Sequence, residues 1–359
     1  MKYSIAMCLV LGLTACGNAG ADKPPAGKNE PVDTSALKPV VITDTVVFDT
    51  DDPAIWINPA DHSGSLILGT DKEEGGGLYA FDLNGRIVNK IEGLKRPNNV
   101  DIAYGLSVKG QPVDIAVFTE RKANKLRVVS LPDLKFIDNG GIPVFEGEKE
   151  KGYNEGMGIA LYTAPGRKIY AIVGRKSGPA EGYLWQYELK DNGKGNIIGE
   201  VVRKFGKYSG KKEIEAIAAD NELGYIYYAD EQAGIRKYYA DPSKGDEELA
   251  FFGTSGFAGD HEGISIYKST DSTGYILVSN QQDNSFVVFR REGDAGNPHH
   301  HEPIAKVPVS TIESDGSDIT ALSLNSQFPK GLFVAMSNGK VFHYYDWRQI
   351  EERILNSKR

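Results

Sequence analysis

Cysteine is nearly absent from this chain: only Cys8 and Cys16 occur in 359 residues, so no disulfide framework holds the fold. Basic charge is also in deficit. The 41 Lys and Arg against 49 Asp and Glu leave a formal charge of −8, which argues against general nucleic-acid binding, since phosphate backbones are gripped by basic side chains. No stretch approaches the length of a transmembrane helix. Several site signatures are missing too: there is no His-Glu-x-x-His zinc pair, no Gly-Lys-Ser/Thr phosphate loop and no Gly-x-Ser-x-Gly nucleophile elbow. What is abundant is glycine. With 41 Gly and 17 Pro the composition favours many turns over long helices, and the length fits two ordinary domains or one large all-β or α/β barrel domain.

The first residues read as an address. Lys2 followed by the apolar run Ile5–Leu13 has the form of an export signal. Leu13-Thr14-Ala15-Cys16-Gly17 resembles the bacterial lipoprotein box, in which the signal (1–16) is cut before Cys16 and that residue is acylated. The alternative is an ordinary signal peptide with an incidental cysteine. Lipidation of Cys16 leaves no free thiol for redox or soft-metal chemistry. Residues 17–38, rich in Ala, Gly, Pro, Lys and Asn, read as a flexible spacer, so the folded part is expected over 39–359. The chain is then expected to be exported, monomeric and held to a membrane only through its N-terminal lipid. Gly17, in place of the Asp that commonly retains lipoproteins in the inner membrane, points to the outer membrane.

From Val40 onward, short apolar runs alternate with Gly, Asn and Asp turns. Ser65–Thr70, Val113–Phe118, Lys168–Val173, Gly224–Tyr228, Gly274–Val278 and Gly331–Met336 are strand-length and rich in β-branched and aromatic residues. Each is followed by a second such run: Gly77–Leu83, Lys125–Leu131, Gly182–Leu189, Gly234–Tyr239, Ser285–Arg290 and Lys340–Tyr345. Upstream of each pair lies a run with an acidic or amide residue beside an isoleucine, at Ile55, Ile102, Ile159, Ile217, Ile264 and Ile319. A period of roughly fifty residues with three or four strands each is the mark of a β-propeller, and six periods mean an all-β, six-bladed one. The alternative, two β-sandwich domains, lacks a composition break between halves. Asp346–Leu355 reads as a short amphipathic helix closing the chain.

First strands of propeller blades line the central channel, so Asp51, Asp52, Asp101, Glu155, Glu215, Glu262, Asp315 and Asp318 are expected to converge, joined by Asp230 and Glu231. So many carboxylates repel one another unless cations lie between them, and oxygen-only ligand sets select hard ions, Ca²⁺ before Mg²⁺. The bland alternative makes each acid an ordinary turn or strand-end residue that accepts backbone hydrogen bonds. His299-His300-His301 reads as an exposed polar loop rather than a metal site, since nothing fixes those side chains. Interleaved cations (Lys72, Lys95, Arg96, Arg121, Arg175 and Lys176) would suit a ligand carrying several phosphates.

Asp49-Thr50-Asp51-Asp52-Pro53-Ala54-Ile55-Trp56 and Asn98-Asn99-Val100-Asp101 closely resemble paired signatures of the β-propeller (alkaline) phytases. Further matches are Gly69-Thr70-Asp71-Lys72, Gln186–Leu189, Glu215–Asp220, Asp260-His261-Glu262-Gly263 and Gly331–Ala335. The resemblance implies a calcium-dependent phosphomonoesterase that acts on the calcium complex of phytate through water activated by several Ca²⁺ ions, with a neighbouring site that grips a second phosphate. It implies catalytic carboxylates at Glu215, Asp260, Glu262 and Asp315, and metal binding by these together with Asp51, Asp52, Asn99, Asp101, Asp230 and Glu231. It implies phosphate contacts from Lys72, Arg121 and Arg175 or Lys176. Three positions depart from the family pattern: Glu73 where a second Lys is frequent, Ala103 where Arg is common, and Met157 opposite a Tyr, with Tyr153 nearby. These departures motivate a rival reading, a propeller that binds inositol phosphates or calcium without turnover. A second rival is a six-bladed lactonase or esterase, which would need fewer carboxylates and no ring of cations.

Overall fold

The computed structural model describes residues 34–294 and 296–357; the export signal, Cys16 and most of the spacer lie outside the described residues. Six antiparallel sheets follow one another along the chain. Their innermost strands are Thr50–Trp56, Pro97–Val108, Gly156–Thr163, Ile217–Asp220, His261–Lys268 and Ser317–Thr320. Each of these packs against the next and the last returns to the first, which closes the six-bladed propeller around a channel. The second and third strands of every blade coincide with the paired apolar runs of the sequence.

Those runs are apolar on both faces because a blade is covered by neighbours on both sides. Ile169–Arg175, for example, is buried at every residue. The core is accordingly divided into six layers, one between each adjacent pair of blades: Val117 and Leu126 of the second blade meet Val173 and Trp185 of the third, and Leu277 and Val288 of the fifth meet Phe333 of the sixth. Fully burying one such side chain contributes roughly 1.5–3 kcal/mol, so each layer is a large term in stability.

The ring is closed by the N-terminal part of the folded chain. Val41–Ile42 forms the outer strand of the sixth blade beside Val341–Asp346, so one blade is built from both ends of the sequence. The packed chain also begins before Pro39. Leu37 donates its N–H to the Pro308 carbonyl at 3.0 Å, accepts from Ser310 N at 2.9 Å and packs on the core between the fifth and sixth blades. The terminal helix, Trp347–Asn356, is capped by Asp346, whose side chain accepts from Arg348 N, and buries Trp347, Ile350 and Ile354. The Trp347 indole stacks on Tyr267 with ring centroids 3.6 Å apart. Among the described residues no helix is long and apolar enough to cross a membrane.

Candidate active site

Four of the six innermost strands break register at the same end, at Thr50/Pro53, Pro97/Val100, Gly156/Ile159 and Glu262/Ile264. Such bulges re-aim side chains. At the first, Asp51 turns up toward Lys72 while Asp52 turns across to the second blade, although the two are adjacent in sequence. Gly158 lies in another of these irregularities, and only a glycine fits there: a Cβ would stand 1.7 Å from the Glu215 carbonyl oxygen. The close approach sets Glu215 against the third blade.

At this mouth a cavity of about 190 Å³ is lined by Lys72, Arg96, Asn98, Arg121, Met157, Lys176, Lys212, Glu213, Glu215, Glu262, Gln281 and Asp315. At ~30 Å³ per water it has room for a phosphoryl group or two rather than a whole polyphosphate. Two charge clusters build it. In the first, Lys72 Nζ pairs with Asp315 and with Asp51 Oδ1 (3.2 Å), with Asp49 at 3.8 Å; Asn98 Nδ2 donates to Asp51 Oδ2 (3.0 Å) and to Glu215. In the second, Lys212 Nζ lies 2.8 Å from Glu231 Oε2, 2.8 Å from Asp260 Oδ2 and 3.5 Å from Glu262 Oε1. Gln232 and Gln282 donate to the two oxygens of Asp260, at 2.8 and 3.0 Å.

These acids are out of balance with the cations around them. Burial, then the Asp51 and Asp315 charges, raise Glu215 well above the usual carboxylate range; burial and Glu231 do the same for Glu262. Burial pushes Asp51 up to about 6 and Glu231 up to about 7, against the pull of Lys72 and Lys212. Asp260 is the exception: burial raises it, but hydrogen bonds from Lys212, Gln232 and Gln282 outweigh that and hold it below its ordinary value. Glu231 Oε1 and Glu262 Oε2 are buried without a hydrogen-bond donor. Glu213, Glu215 and Glu231, and likewise Glu231, Asp260 and Glu262, bring carboxylate oxygens within 4.8 Å of one another. Undonated, buried, oxygen-only ligands in this arrangement fit a hard divalent cation.

On the cationic side, Arg121 Nε reaches Glu155 Oε2 at 2.9 Å, and Lys122 reaches the same oxygen at 3.2 Å. Lys176 pairs with Glu213. The mouth therefore carries Lys72, Arg121 and Lys176 as expected.

Other expected residues lie elsewhere. Arg175 is fully buried: its guanidinium donates to the carbonyls of Tyr183, Tyr153 and Gly182 and lies over the rings of Phe145, Tyr153, Tyr183 and Trp185. It supports the wall of the site and does not reach the mouth. Asp230 accepts from Ser209 N and Oγ and pairs with Arg236 at 2.8 Å, so only its neighbour Glu231 belongs to the metal-type cluster. Asp52 and Asp101 line the separate channel cavity of about 440 Å³ rather than the mouth; Asn99 also lines that cavity, while its Oδ1 accepts from Asn98 Nδ2 at 2.9 Å and so joins the mouth's first cluster. In the channel Asp52 accepts from Val100 N (3.1 Å), Asp101 from Leu161 N (2.6 Å) and Asp318 from Ile55 N (2.7 Å), each bond crossing to the next blade. For these three the bland alternative describes the geometry: they clamp blades together.

Of the three departures, only Met157 touches the mouth. Tyr153 turns its ring to Arg175, Ala103 is buried in the core between the second and third blades, and Glu73 is exposed. Sequence reasoning missed Lys212, Glu213, Gln232, Gln281 and Gln282. A signal existed for Glu213: Ile214, fully buried, separates it from Glu215, so both acids point away from the core. The glutamines carried none, because amides at strand ends are common in any loop.

Comparison with known proteins accords with this geometry. The family model described as Phytase matches residues 4–349. A 3-phytase of Bacillus subtilis (strain 168) is 30% identical over 323 residues, which cover 85% of this chain and 81% of that protein. Among solved structures, a luciferin-regenerating enzyme superposes with a TM-score of 0.51 at 12% identity over 85% of this chain and 95% of its own, a likeness of fold alone. The chain belongs to the phytase family.

Proposed function

We propose that this phosphoric monoester hydrolase removes phosphate from phytate, myo-inositol hexakisphosphate, presented as its calcium complex, to leave lower inositol phosphates. The observation that carries the calcium requirement is the pair of undonated oxygens, Glu231 Oε1 and Glu262 Oε2, buried among Glu215, Asp260 and Asp315. Those five carboxylates would hold the ions, with Asp51 behind them. Bound calcium supplies charge that neutralises phosphoryl oxygens and makes water a better nucleophile.

The rest is done by the chain. Lys72, Arg121 and Lys176 surround a cavity of phosphoryl size and orient the substrate's phosphates by charge-assisted hydrogen bonds. Asn98, which donates to both Asp51 and Glu215, fixes the two acids relative to each other. Glu215 and Glu262, raised above the usual carboxylate range by burial, hold protons more tightly than free carboxylates do, so proton and ion would compete for the same groups.

Phosphate release from calcium-phytate by the purified protein tests this, with a simple phosphate ester for comparison. The expected result is release from phytate that stops with a chelator and returns with added calcium. Tight phytate binding with no release at any pH would instead establish the non-catalytic propeller, for which Met157 in the mouth is the motive.

A further inference from the structure

We propose that Lys212 is a built-in rival of the metal: its ammonium group occupies the place of a divalent cation between Glu231, Asp260 and Glu262, and the ion enters only as this lysine swings out. The inference rests on calcium being the ion of this site. It concerns one side chain of this protein and not the site's existence.

The distances set up the competition. Lys212 Nζ stands 2.8 Å from Glu231 Oε2 and 2.8 Å from Asp260 Oδ2, with Glu262 Oε1 at 3.5 Å. Calcium takes carboxylate oxygens at roughly 2.3–2.6 Å, so an ion held by these same three carboxylates would lie against the ammonium group, two like charges in contact. One of them must leave. A single positive charge also serves the cluster poorly: Glu231 Oε1 and Glu262 Oε2 stay buried without a donor while Lys212 is in place. A divalent ion with several coordination positions can reach oxygens that one ammonium group leaves unserved.

Lys212 also has a way out. Its side chain is 33% exposed and lines the mouth, whereas the neighbouring Lys211 is tied to the Gln232 carbonyl at 2.8 Å. Its unbranched stem lets the charge travel several ångströms with no backbone movement. The lysine therefore holds the acids together in the absence of metal and sets the calcium concentration at which the site fills.

Calorimetric titration of calcium chloride alone into the chelator-stripped full chain tests this, without phosphate or phytate. Removing a like charge next to the ion, Lys212→Met should tighten the binding of one calcium ion by ~10-fold or more. Lys212→Arg, which keeps the charge on a bulkier head, should bind that ion no more tightly than the unaltered chain. It remains decisive if the Met variant fails to fold: tighter binding by the Arg variant overturns the proposal. So does wild-type or weaker affinity in a folded Lys212→Met. If the unaltered chain binds calcium and Lys212→Met gains nothing, only the rivalry falls; if no form binds calcium, the calcium reading falls with it.

Discussion

Successive side chains at a strand end point to opposite sides, and Arg175 and Lys176 show what this does to a substrate site. Arg175 turns inward beneath four aromatic rings; Lys176 turns into the mouth beside Glu213. The two should separate cleanly in kinetics. Lys176→Ala loses one charge-assisted contact to phosphate and should raise KM by ~10-fold with unfolding unchanged. Arg175→Ala leaves three carbonyls unsatisfied and a void under the rings, and should cost about 3 kcal/mol or more of stability in denaturant titrations. An Arg175→Ala protein of normal stability but raised KM would reverse the assignment. A basic residue at this place was legible in the sequence; which of the pair faces substrate was not. That depends on the register of one strand end and on Phe145, Tyr153, Tyr183 and Trp185, rings brought together from three separate segments.

At the scale of the element, the innermost strands carry two kinds of acid in one short stretch. The bulged upper end presents Asp51 and Glu262 to the mouth; below it, Asp52, Asp101 and Asp318 accept backbone N–H groups of the next blade. Composition and repeat made both kinds visible as acids in phase with the blades. Only the bulges separate them, and a one-residue register shift leaves no mark in a pattern of alternating residues. Three of the outermost strands were invisible for a different reason: Ile142–Pro143, Ala250–Phe252 and Val41–Ile42 are two or three residues long, too short for any periodicity.

The clamping role of Asp101 can be tested by titration. Burial pushes Asp101 up to about 7, so between the unfolded and folded values the native chain holds a proton that the unfolded chain has released. Stability from this group is therefore greatest at low pH and falls as pH rises toward 7. Asp101→Asn keeps an acceptor for Leu161 N without the charge, so it should gain on the unaltered chain as pH rises from about 5 to 8. Asp101→Ala, which strands the Leu161 and Ile102 N–H groups, should lose about 1–3 kcal/mol at every pH. Equal pH profiles for Asp101→Asn and the unaltered chain would show that this carboxylate is not titrating in the channel.

For the whole molecule, the acidic balance of −8 is less telling than its placement. Closure of the ring, completed by Val41–Ile42 on the sixth blade, draws Asp51, Glu215, Glu231, Asp260, Glu262 and Asp315 from four blades and the connections that lead into them to one mouth. Without metal, that convergence works against folding. Asp51 at about 6, Glu231 at about 7, and Glu215 and Glu262 well above their usual range all bind protons more tightly in the native chain. The metal-free protein should thus lose stability as pH rises from about 5 to 8, the reverse of a protein whose acids are satisfied by ion pairs. Calcium needs the same groups deprotonated, so its stabilising effect should grow over that window, from little at about pH 5 to several degrees or more in Tm at about pH 8. Thermal melts in chelator and in saturating calcium chloride, at intervals of one pH unit, measure both trends at once. A calcium-induced rise in Tm as large at pH 5 as at pH 8 would place the ion away from these raised carboxylates. Magnesium chloride at the same concentration should raise Tm less, because Mg²⁺ demands near-ideal octahedral geometry and gives up its waters reluctantly, whereas Ca²⁺ adapts to carboxylates supplied by several segments.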